Sequence, residues 1–237
     1  MPKTLSAYRA QLGPQKECRL IRQFSLGLVF MAIFGLQAQT AFAGGADIPA
    51  SRSQIVPPAA VAPPMDERDF WALVDQSAKF ETNPDVQLAT LRASLNRLPA
   101  NKIADFERVF DQVLRRSYSW DLWGAAYLGN GGASDDGFEY FRCWLISKGQ
   151  KAFETVVADP DSLADTVAQG PPVILEFEDF AYVAREAWSA KTGRNWNEMP
   201  VVAGMMYAES PGGVRFNDNP AELAKRYPKL WTRFGTK

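Results

Sequence analysis

Apolar residues recur at helical spacing through most of the chain beyond its N-terminal quarter. From Phe70 onward, apolar or small residues follow at positions i, i+3, i+4, i+7 and i+8, the spacing of one face of an α-helix. Leucines then repeat from Leu88 to Leu98 after Asn83-Pro84, a pair typical of a helix N-terminus. A third stripe comprises Ile103, Phe106, Val109, Phe110, Val113 and Leu114. These patterns predict three consecutive helices.

Glycine and serine residues mark the ends of the helices that follow. The pattern predicts further helices over Ser119–Leu128, Asp135–Lys148, residues 176–192, Pro220–Arg226 and Lys229–Phe234. The run Gly129-Asn130-Gly131-Gly132 is a strong helix stop, and Ser134 is a favourable N-cap for the helix after it. No convincing alternation of period two indicates a strand. We therefore predict an all-α fold, a single-domain helical bundle of about six to eight helices.

Residues 1–43 show the three features of a secretory signal peptide in the expected order. Basic residues precede an apolar run over Phe24–Leu36, which is shorter than the ~20 residues that span a membrane. Ala41-Phe42-Ala43 then supplies a cleavage site. We expect export to the periplasm or the medium, with no stable membrane span after cleavage. The alternative is a translation start at Met65, which would leave the protein in the cytoplasm.

The same patterns divide the chain into four regions. The signal peptide is followed by a flexible linker over residues 44–64, where Ser51–Pro64 is rich in proline and alanine. Residues 65–193 carry the regular helical pattern and are predicted to form the domain. Residues 194–237 are predicted to form a loosely structured C-terminal extension that packs on the domain.

Composition excludes several classes of chemistry. The 237-residue chain contains no histidine, so Ser-His-Asp triads, Cys-His pairs and histidine zinc sites are impossible. Of the two cysteines, Cys18 lies in the predicted leader. Cys143 would remain alone, without a disulfide partner, and is expected to be a small buried hydrophobic residue.

Charge argues against a nucleic-acid partner. Cleavage after Ala43 would leave 21 basic and 26 acidic side chains, a net charge of −5. A mildly acidic protein is a poor binder of nucleic acid or anionic lipid. No cofactor is predicted from the sequence, although a hard divalent cation at Asp135 and Asp136 is an alternative.

Residues 118–149 concentrate aromatic, glycine and acidic residues, and two interpretations of the acidic ones remain open. Asp135 and Asp136 open the predicted fifth helix, where the helix dipole favours negative charge, and Glu139 and Arg142 are spaced as an ordinary i, i+3 ion pair. Alternatively, Asp135, Asp136 and Glu139 are catalytic residues or cation ligands.

The remaining candidates in this segment would bind a ligand. Glycines let a ligand approach the backbone closely, and aromatic rings can form a binding wall, although tryptophans at helical spacing, Trp144 among them, are more often core residues. Participation of Asp121 is doubtful, because it lies about three helical turns from the loop. The candidate ligand-binding residues are Trp120, Asp121, Trp123, Asn130, Gly131, Gly132 and Arg142.

The motifs of this segment occur in a known order with matching gaps. They are Trp120-Asp121-Leu122-Trp123, Asn130-Gly131-Gly132, Ser134-Asp135-Asp136-Gly137-Phe138, Phe141-Arg142 and Trp144-Leu145-Ile146, preceded by Met65-Asp66-Glu67-Arg68-Asp69-Phe70-Trp71 and followed by Tyr182-Val183-Ala184. In these motifs the chain resembles, over residues 65–193, a bacterial family known as an uncharacterised domain of unknown function. The resemblance implies a shared helical fold and brings no established activity with it.

Three functions stay open on the sequence alone. The first is an exported, non-catalytic binding module that acts on a protein partner. The second is a carboxylate-dependent hydrolase or transferase, metal-assisted or not, that uses Asp135, Asp136 and Glu139. The third is a carrier of a small ligand, which needs a cavity near Trp123 and Phe138.

Overall fold

Helices account for most of the described chain. The structure, a computed structural model, describes residues 63–170, 173–200 and 210–235. In chain order, the α-helices of this part are α1 (Glu67–Ala78), α2 (Pro84–Asn96), α3 (Ala100–Arg116), α4 (Trp120–Asn130), α5 (Asp135–Ser147), α6 (Gln150–Ala158), α7 (Leu163–Thr166), α8 (Val183–Thr192), α9 (Pro220–Arg226) and α10 (Pro228–Phe234). Short 3₁₀ turns span Pro160–Ser162, Glu178–Ala181 and Trp196–Glu198.

The architecture is an all-α single domain, as predicted. Within the described residues there is no β-strand, and the single backbone bridge there joins Ser119 to Gly212. Seven of the α-helices have nine residues or more. In this same part of the chain no helix is both long and apolar enough to cross a membrane. The predicted leader (residues 1–43) and residues 44–62 of the predicted linker lie outside the described residues.

Local capping chemistry places the helix ends close to where the sequence predicts them. The Asn83 side chain accepts a hydrogen bond from the backbone N–H of Val86 and so begins α2, and Ser134 does the same for Gly137 at the start of α5. Helix α4 runs two residues beyond the predicted Leu128 and ends at Gly131, whose φ of +66° suits glycine.

The helix predicted over residues 176–192 is shorter than expected. Regular α-helix begins only at Val183, after the 3₁₀ turn Glu178–Ala181. The segment before the turn is held by tertiary hydrogen bonds, because the Phe177 N–H donates to the Tyr140 carbonyl at 3.0 Å. The Leu175 N–H donates to the Asn130 side chain at 2.8 Å. These contacts with α4 and α5 override the helical preference of the local sequence.

The long helix α3 carries the centre of the core. All six apolar residues of its predicted stripe are buried: Ile103, Phe106, Val109, Phe110, Val113 and Leu114. Helix α3 packs against α8, and α2 packs against both α1 and α8. Each fully buried large apolar side chain stabilises the fold by about 1.5–3 kcal/mol, so this stripe contributes a large share of the core.

The C-terminal helices attach to the domain by reciprocal capping. The Asp161 carboxylate accepts hydrogen bonds from the backbone N–H groups of Lys229 (3.0 Å) and Leu230 (2.9 Å), the first turn of α10. In return, the Arg233 guanidinium donates to the carbonyl of Val167 (2.8 Å), just after α7. Groups left unsatisfied at two helix ends are thereby satisfied by side chains 66–69 residues away in sequence.

A glycine on α4 makes room for the start of this C-terminal unit. The Tyr227 side chain is buried, and its hydroxyl donates to the carbonyl of Asp121 at 2.9 Å. A Cβ atom at Gly124 would overlap that hydroxyl. Helix α4 therefore requires glycine at this position, despite the unfavourable helix propensity of glycine.

The capping role of Asp161 predicts a difference from its neighbour Asp165. We expect Asp161→Ala to lower the free energy of unfolding by about 1–2 kcal/mol, the usual loss for a removed N-cap. Asp165→Ala removes only an exposed 2.8 Å ion pair with Lys229 and should cost less than about 0.5 kcal/mol. Urea unfolding of both variants measures the two losses. Equal losses would contradict the capping role.

Candidate functional site

The aromatic residues of the densest segment stack into one column. On α4, the Trp120 and Trp123 rings lie 5.1 Å apart at an interplanar angle of 13°. On the first turn of α5, the Phe138 ring lies 4.7 Å from Trp123, also at 13°. The i, i+3 spacing puts the two tryptophans on one helix face, and the turn into α5 brings Phe138 beneath them. We call these three rings the aromatic column.

Arg142 closes the inner end of the aromatic column. Its side chain is buried, with only 2% of the residue exposed. The guanidinium carbon lies 4.9 Å from the Phe138 ring centre and 5.0 Å from that of Tyr118. Its Nη1 donates to the Leu114 carbonyl at 2.9 Å, in the last turn of α3. The cation thus satisfies a carbonyl at a helix C-terminus, where the dipole favours positive charge.

The outer end of the column is covered by a segment from the C-terminal part of the chain. We call residues 210–219 the strap. The Gly212 N–H donates to the Tyr118 carbonyl, and the Gly212 carbonyl accepts from the Trp120 N–H, both at 2.9 Å. The Arg215 guanidinium carbon lies 5.0 Å from the Trp120 ring centre. The Phe216 ring packs on Trp120 edge to face at 6.3 Å.

Phe216 reaches a second ring on the same helix. Its centroid lies 5.4 Å from that of Tyr127, two turns along α4 from Trp120. The half-buried rings of Trp120, Trp123 and Tyr127 share this side of the helix. We call these three residues the α4 face. The strap lies on it as an extended peptide lies on a binding surface.

Asp121 anchors the strap through α9. Its Oδ1 accepts a 2.9 Å hydrogen bond from Nε of Arg226, whose Nη2 also donates to the Val214 carbonyl at 2.7 Å. Gly213 has a φ of +83°, and a Cβ there would lie 3.3 Å from Oδ2 of Asp121. The strap therefore needs glycine beside this carboxylate.

The glycine loop between α4 and α5 performs structural tasks. Gly131 and Gly132 have φ values of +66° and +134°, and the Gly132 N–H donates to the Tyr127 carbonyl at 2.7 Å, as in a helix C-cap. The Asn130 side chain accepts from Leu175 and so holds the segment before the 3₁₀ turn. The Trp123 indole N–H donates to the Ala133 carbonyl at 3.1 Å, which orients the ring in the column.

Two of the three acidic residues of α5 lie in its first turn, and Glu139 lies in the next. Asp135 and Asp136 are exposed and Glu139 is half-buried, while Ser134 supplies the cap. In the part of the chain that the structure describes, no group of three or more Cys, Asp or Glu side chains is placed to hold a metal ion. Their position suits the helix dipole, and a catalytic role for them stays a prediction.

Cys143 is fully buried, in agreement with its interpretation as a small hydrophobic residue. Burial raises the pKa of its thiol above the ordinary range, which disfavours the reactive thiolate. Trp144, on the same helix, is also buried. Of the tryptophans in this segment, Trp120 and Trp123 alone retain partial exposure.

A buried acid between α3 and α8 escaped the sequence analysis. Only 3% of Glu107 is exposed, and its carboxylate forms an ion pair with Arg185. Burial raises the pKa of Glu107 to about 7, outweighing the lowering effect of Arg185. Burial also raises the pKa of Asp111, one turn later. The signal was available, since Glu107 lies at i+4 from Ile103 and interrupts the apolar stripe of α3.

The buried carboxyl of Glu107 predicts a pH dependence of stability. Its folded pKa of about 7 exceeds the ordinary 4.5, so between these values the unfolded chain binds fewer protons. The stabilisation is complete below about pH 4.5 and is lost as pH rises through 7. Relative to Glu107→Gln, the wild type should lose on the order of 3 kcal/mol of unfolding free energy between pH 4.5 and 8.

Chemical denaturation at several pH values measures this difference. Glu186→Gln is the matched control, because Glu186 forms an ion pair with Arg92 at the surface. The control should keep the pH profile of the wild type. Identical profiles for Glu107→Gln and the wild type would show that the Glu107 carboxyl does not titrate in this range.

The buried guanidinium of Arg142 predicts a large structural penalty. Arg142→Met removes one of two donors to the Leu114 carbonyl, the other being the Ser117 hydroxyl at 2.7 Å, and removes the buried cation from two rings, so we expect a loss of about 2 kcal/mol. Arg92→Met removes an exposed ion pair between α2 and α8 and should cost less than about 1 kcal/mol. Thermal and urea unfolding of both variants test the contrast. A loss for Arg142→Met as small as that of the control would refute it.

The part of the chain that contains the aromatic column matches a known protein family. A family model described as "Protein of unknown function (DUF4240)" matches residues 65–190, more than half of the chain. No curated protein and no solved structure matches the chain. The matched range includes the aromatic column, Arg142 and the α4 face, whereas the strap lies beyond it. The resemblance to an uncharacterised family is thus confirmed, and the chain belongs to the DUF4240 family of proteins of unknown function.

Proposed function

We propose that the protein is an exported binding module that holds an extended segment of a partner protein against the α4 face. One observation carries the proposal. The strap lies on that face through two backbone hydrogen bonds at Gly212 and through side-chain contacts of Arg215 and Phe216 with Trp120. Main-chain hydrogen bonds combined with side-chain contacts are the means by which many domains bind extended peptides.

The backbone partners on α4 are suited to this task. Trp120 is the first residue of its helix, so its N–H has no acceptor within the helix. The Tyr118 carbonyl, two residues earlier, faces the same segment. A donor and an acceptor are therefore presented together at the edge of the α4 face, where the backbone of a bound segment can pair with both.

The aromatic rings supply the selective part of the surface. Trp120 and Tyr127 are both half-buried. Tyr127 packs against the core and Trp120 stacks on Trp123, and each of the two rings also contacts Phe216 of the strap. Tryptophan and tyrosine are enriched at protein interfaces because they bury a large area at low conformational cost. The export part of the proposal rests on the signal-peptide pattern of residues 1–43.

The two other functions receive less support. Asp135 and Asp136 are exposed at a capped helix start, whereas a carboxylate-dependent hydrolase concentrates its acids in a cleft. A small-ligand carrier needs a cavity near Trp123 and Phe138, and these rings stack on each other at 4.7 Å. Binding of a protein partner is therefore the function that the experiment below tests.

Site-specific photo-crosslinking in the mature chain tests the proposal. A crosslinking amino acid replaces Val214, which is 76% exposed beside the α4 face, or Val86, which is 41% exposed on α2. Incubation with the exported proteins of the source organism should yield a discrete crosslinked protein for position 214 and not for position 86. Mass spectrometry identifies this protein, and titration of the purified protein gives its affinity.

The control for this experiment compares two tryptophans. Trp120→Ala should weaken binding of the identified partner at least about tenfold, a loss of about 1.4 kcal/mol. Trp196→Ala, an exposed tryptophan in a different part of the domain, should leave the affinity unchanged. The proposal fails if position 214 gives no product beyond that of position 86, or if the affinity is indifferent to Trp120.

A further inference from the structure

Given the proposed function, we propose that the strap is an internal substitute for the partner's segment. Residues 210–216 occupy the binding site in cis, and the partner displaces them. The displacing segment of the partner has four positions in order: glycine, any residue, arginine or lysine, and an aromatic residue. The strap thereby determines which segment binds and regulates access to the site.

The occupant and the surface come from different parts of the chain. Tyr118, Trp120 and Tyr127, which make the contacts, lie within the range that matches the family. Gly212 and Phe216, which occupy the surface, lie outside it. The strap thus has the character of a ligand that is joined covalently to the domain.

The contacts of the strap specify what a competing segment must offer. The guanidinium carbon of Arg215 lies 5.0 Å from the ring centre of Trp120, on its outer face. This is a cation–π interaction, which is strongest when the ring is an indole. The next residue, Phe216, packs on both Trp120 and Tyr127. A basic residue followed by an aromatic one reproduces this pair of contacts.

Glycine is required two positions before the basic residue. Gly213 has a φ of +83°, which other residues rarely adopt, and it approaches Asp121 closely. A partner segment with a side chain at the Gly213 position would lose the backbone pairing at the Gly212 position.

The strap is held less firmly than the helices that follow it. Gly212, Gly213, Val214 and Arg215 are all exposed. The strap is held at buried Pro211, at half-buried Phe216 and by the bond from Arg226 to the Val214 carbonyl. Helices α9 and α10, by contrast, bury Leu223, Tyr227 and Leu230 and are capped by Asp161. The strap can therefore leave the α4 face while the C-terminal helices stay docked.

The covalent attachment of the strap determines how strongly it competes with a partner for the α4 face. A segment tethered beside its own site acts at an effective concentration in the millimolar range. A free segment with the same contacts competes with the strap, and its apparent affinity falls in proportion to the fraction of open sites. Weakening the strap should consequently increase the affinity for a peptide supplied in trans.

A fluorescent synthetic peptide with the sequence of residues 210–219 provides the test. It is titrated into the mature chain as wild type, as the double variant Arg215→Ala/Phe216→Ala, and as that variant with Trp120→Ala added. The double variant should bind the peptide at least about tenfold more tightly than the wild type. Addition of Trp120→Ala should abolish this gain, and a peptide with alanine in place of its arginine and phenylalanine should not bind.

Two controls keep the result interpretable. Asp218→Ala changes an exposed residue at the end of the strap and should leave the affinity at the wild-type value. Melting temperatures show that each variant is folded. If the double variant does not fold, Arg215→Ala alone, which changes an exposed side chain, should bind the peptide at least about threefold more tightly.

Several outcomes would overturn the inference. A folded strap variant that binds the peptide no more tightly than the wild type would show that the strap is structural. Wild-type dimers that dissociate on Phe216→Ala, seen by size-exclusion chromatography, would make a second copy the occupant instead. A crosslinked partner that depends on Trp120 but is not displaced by the peptide would overturn this inference and leave the proposed function standing.

Discussion

The buried guanidinium of Arg142 is the constraint on which the rest of the site depends. An isolated charge in a protein interior is very costly, so its neighbours must supply acceptors and polarisable surfaces. The Leu114 carbonyl and the rings of Tyr118 and Phe138 do so. These three residues belong to the end of α3, to the turn before α4 and to α5. Contacts with one cation therefore join all three elements.

The column and the backbone edge of the α4 face follow from that arrangement. Once Phe138 lies against Arg142, the rings of Trp123 and Trp120 stack on it in turn. Once Tyr118 is held by the same cation, its carbonyl and the Trp120 N–H face outward together. The column thus runs from a buried arginine to a half-exposed tryptophan, on which a second arginine, Arg215, lies.

The C-terminal helices illustrate a different constraint, that of length. Helices of seven residues, such as α9 and α10, are too short to be stable alone. Their stability comes from the domain, through the Asp161 cap, the Arg233 contacts and the place that Gly124 leaves for Tyr227. Because these anchors lie after the strap, they hold it close to the α4 face, and Arg226 of α9 adds one bond to the Val214 carbonyl within the strap.

The sequence by itself determined the features that depend on neighbours a few residues away. The helices, the caps at Asn83 and Ser134, and the buried stripe of α3 were predictable because capping and helical periodicity act within one or two turns. The burial of Cys143 was expected on a different ground, because the chain offers it neither a histidine nor a disulfide partner. Among the candidate residues, the sequence also singled out Trp120 and Trp123. It left open whether their rings form a ligand-binding wall or belong to the core.

Tertiary structure decided everything that joins residues far apart in the chain. The Arg142–Leu114 bond spans 28 positions, the Glu107–Arg185 pair 78 and the Arg226–Asp121 pair 105. The helix predicted from residue 176 gave way to hydrogen bonds with α4 and α5 for the same reason. A side chain's partner across such separations depends on how whole helices pack, and local spacing along a sequence carries no record of that packing.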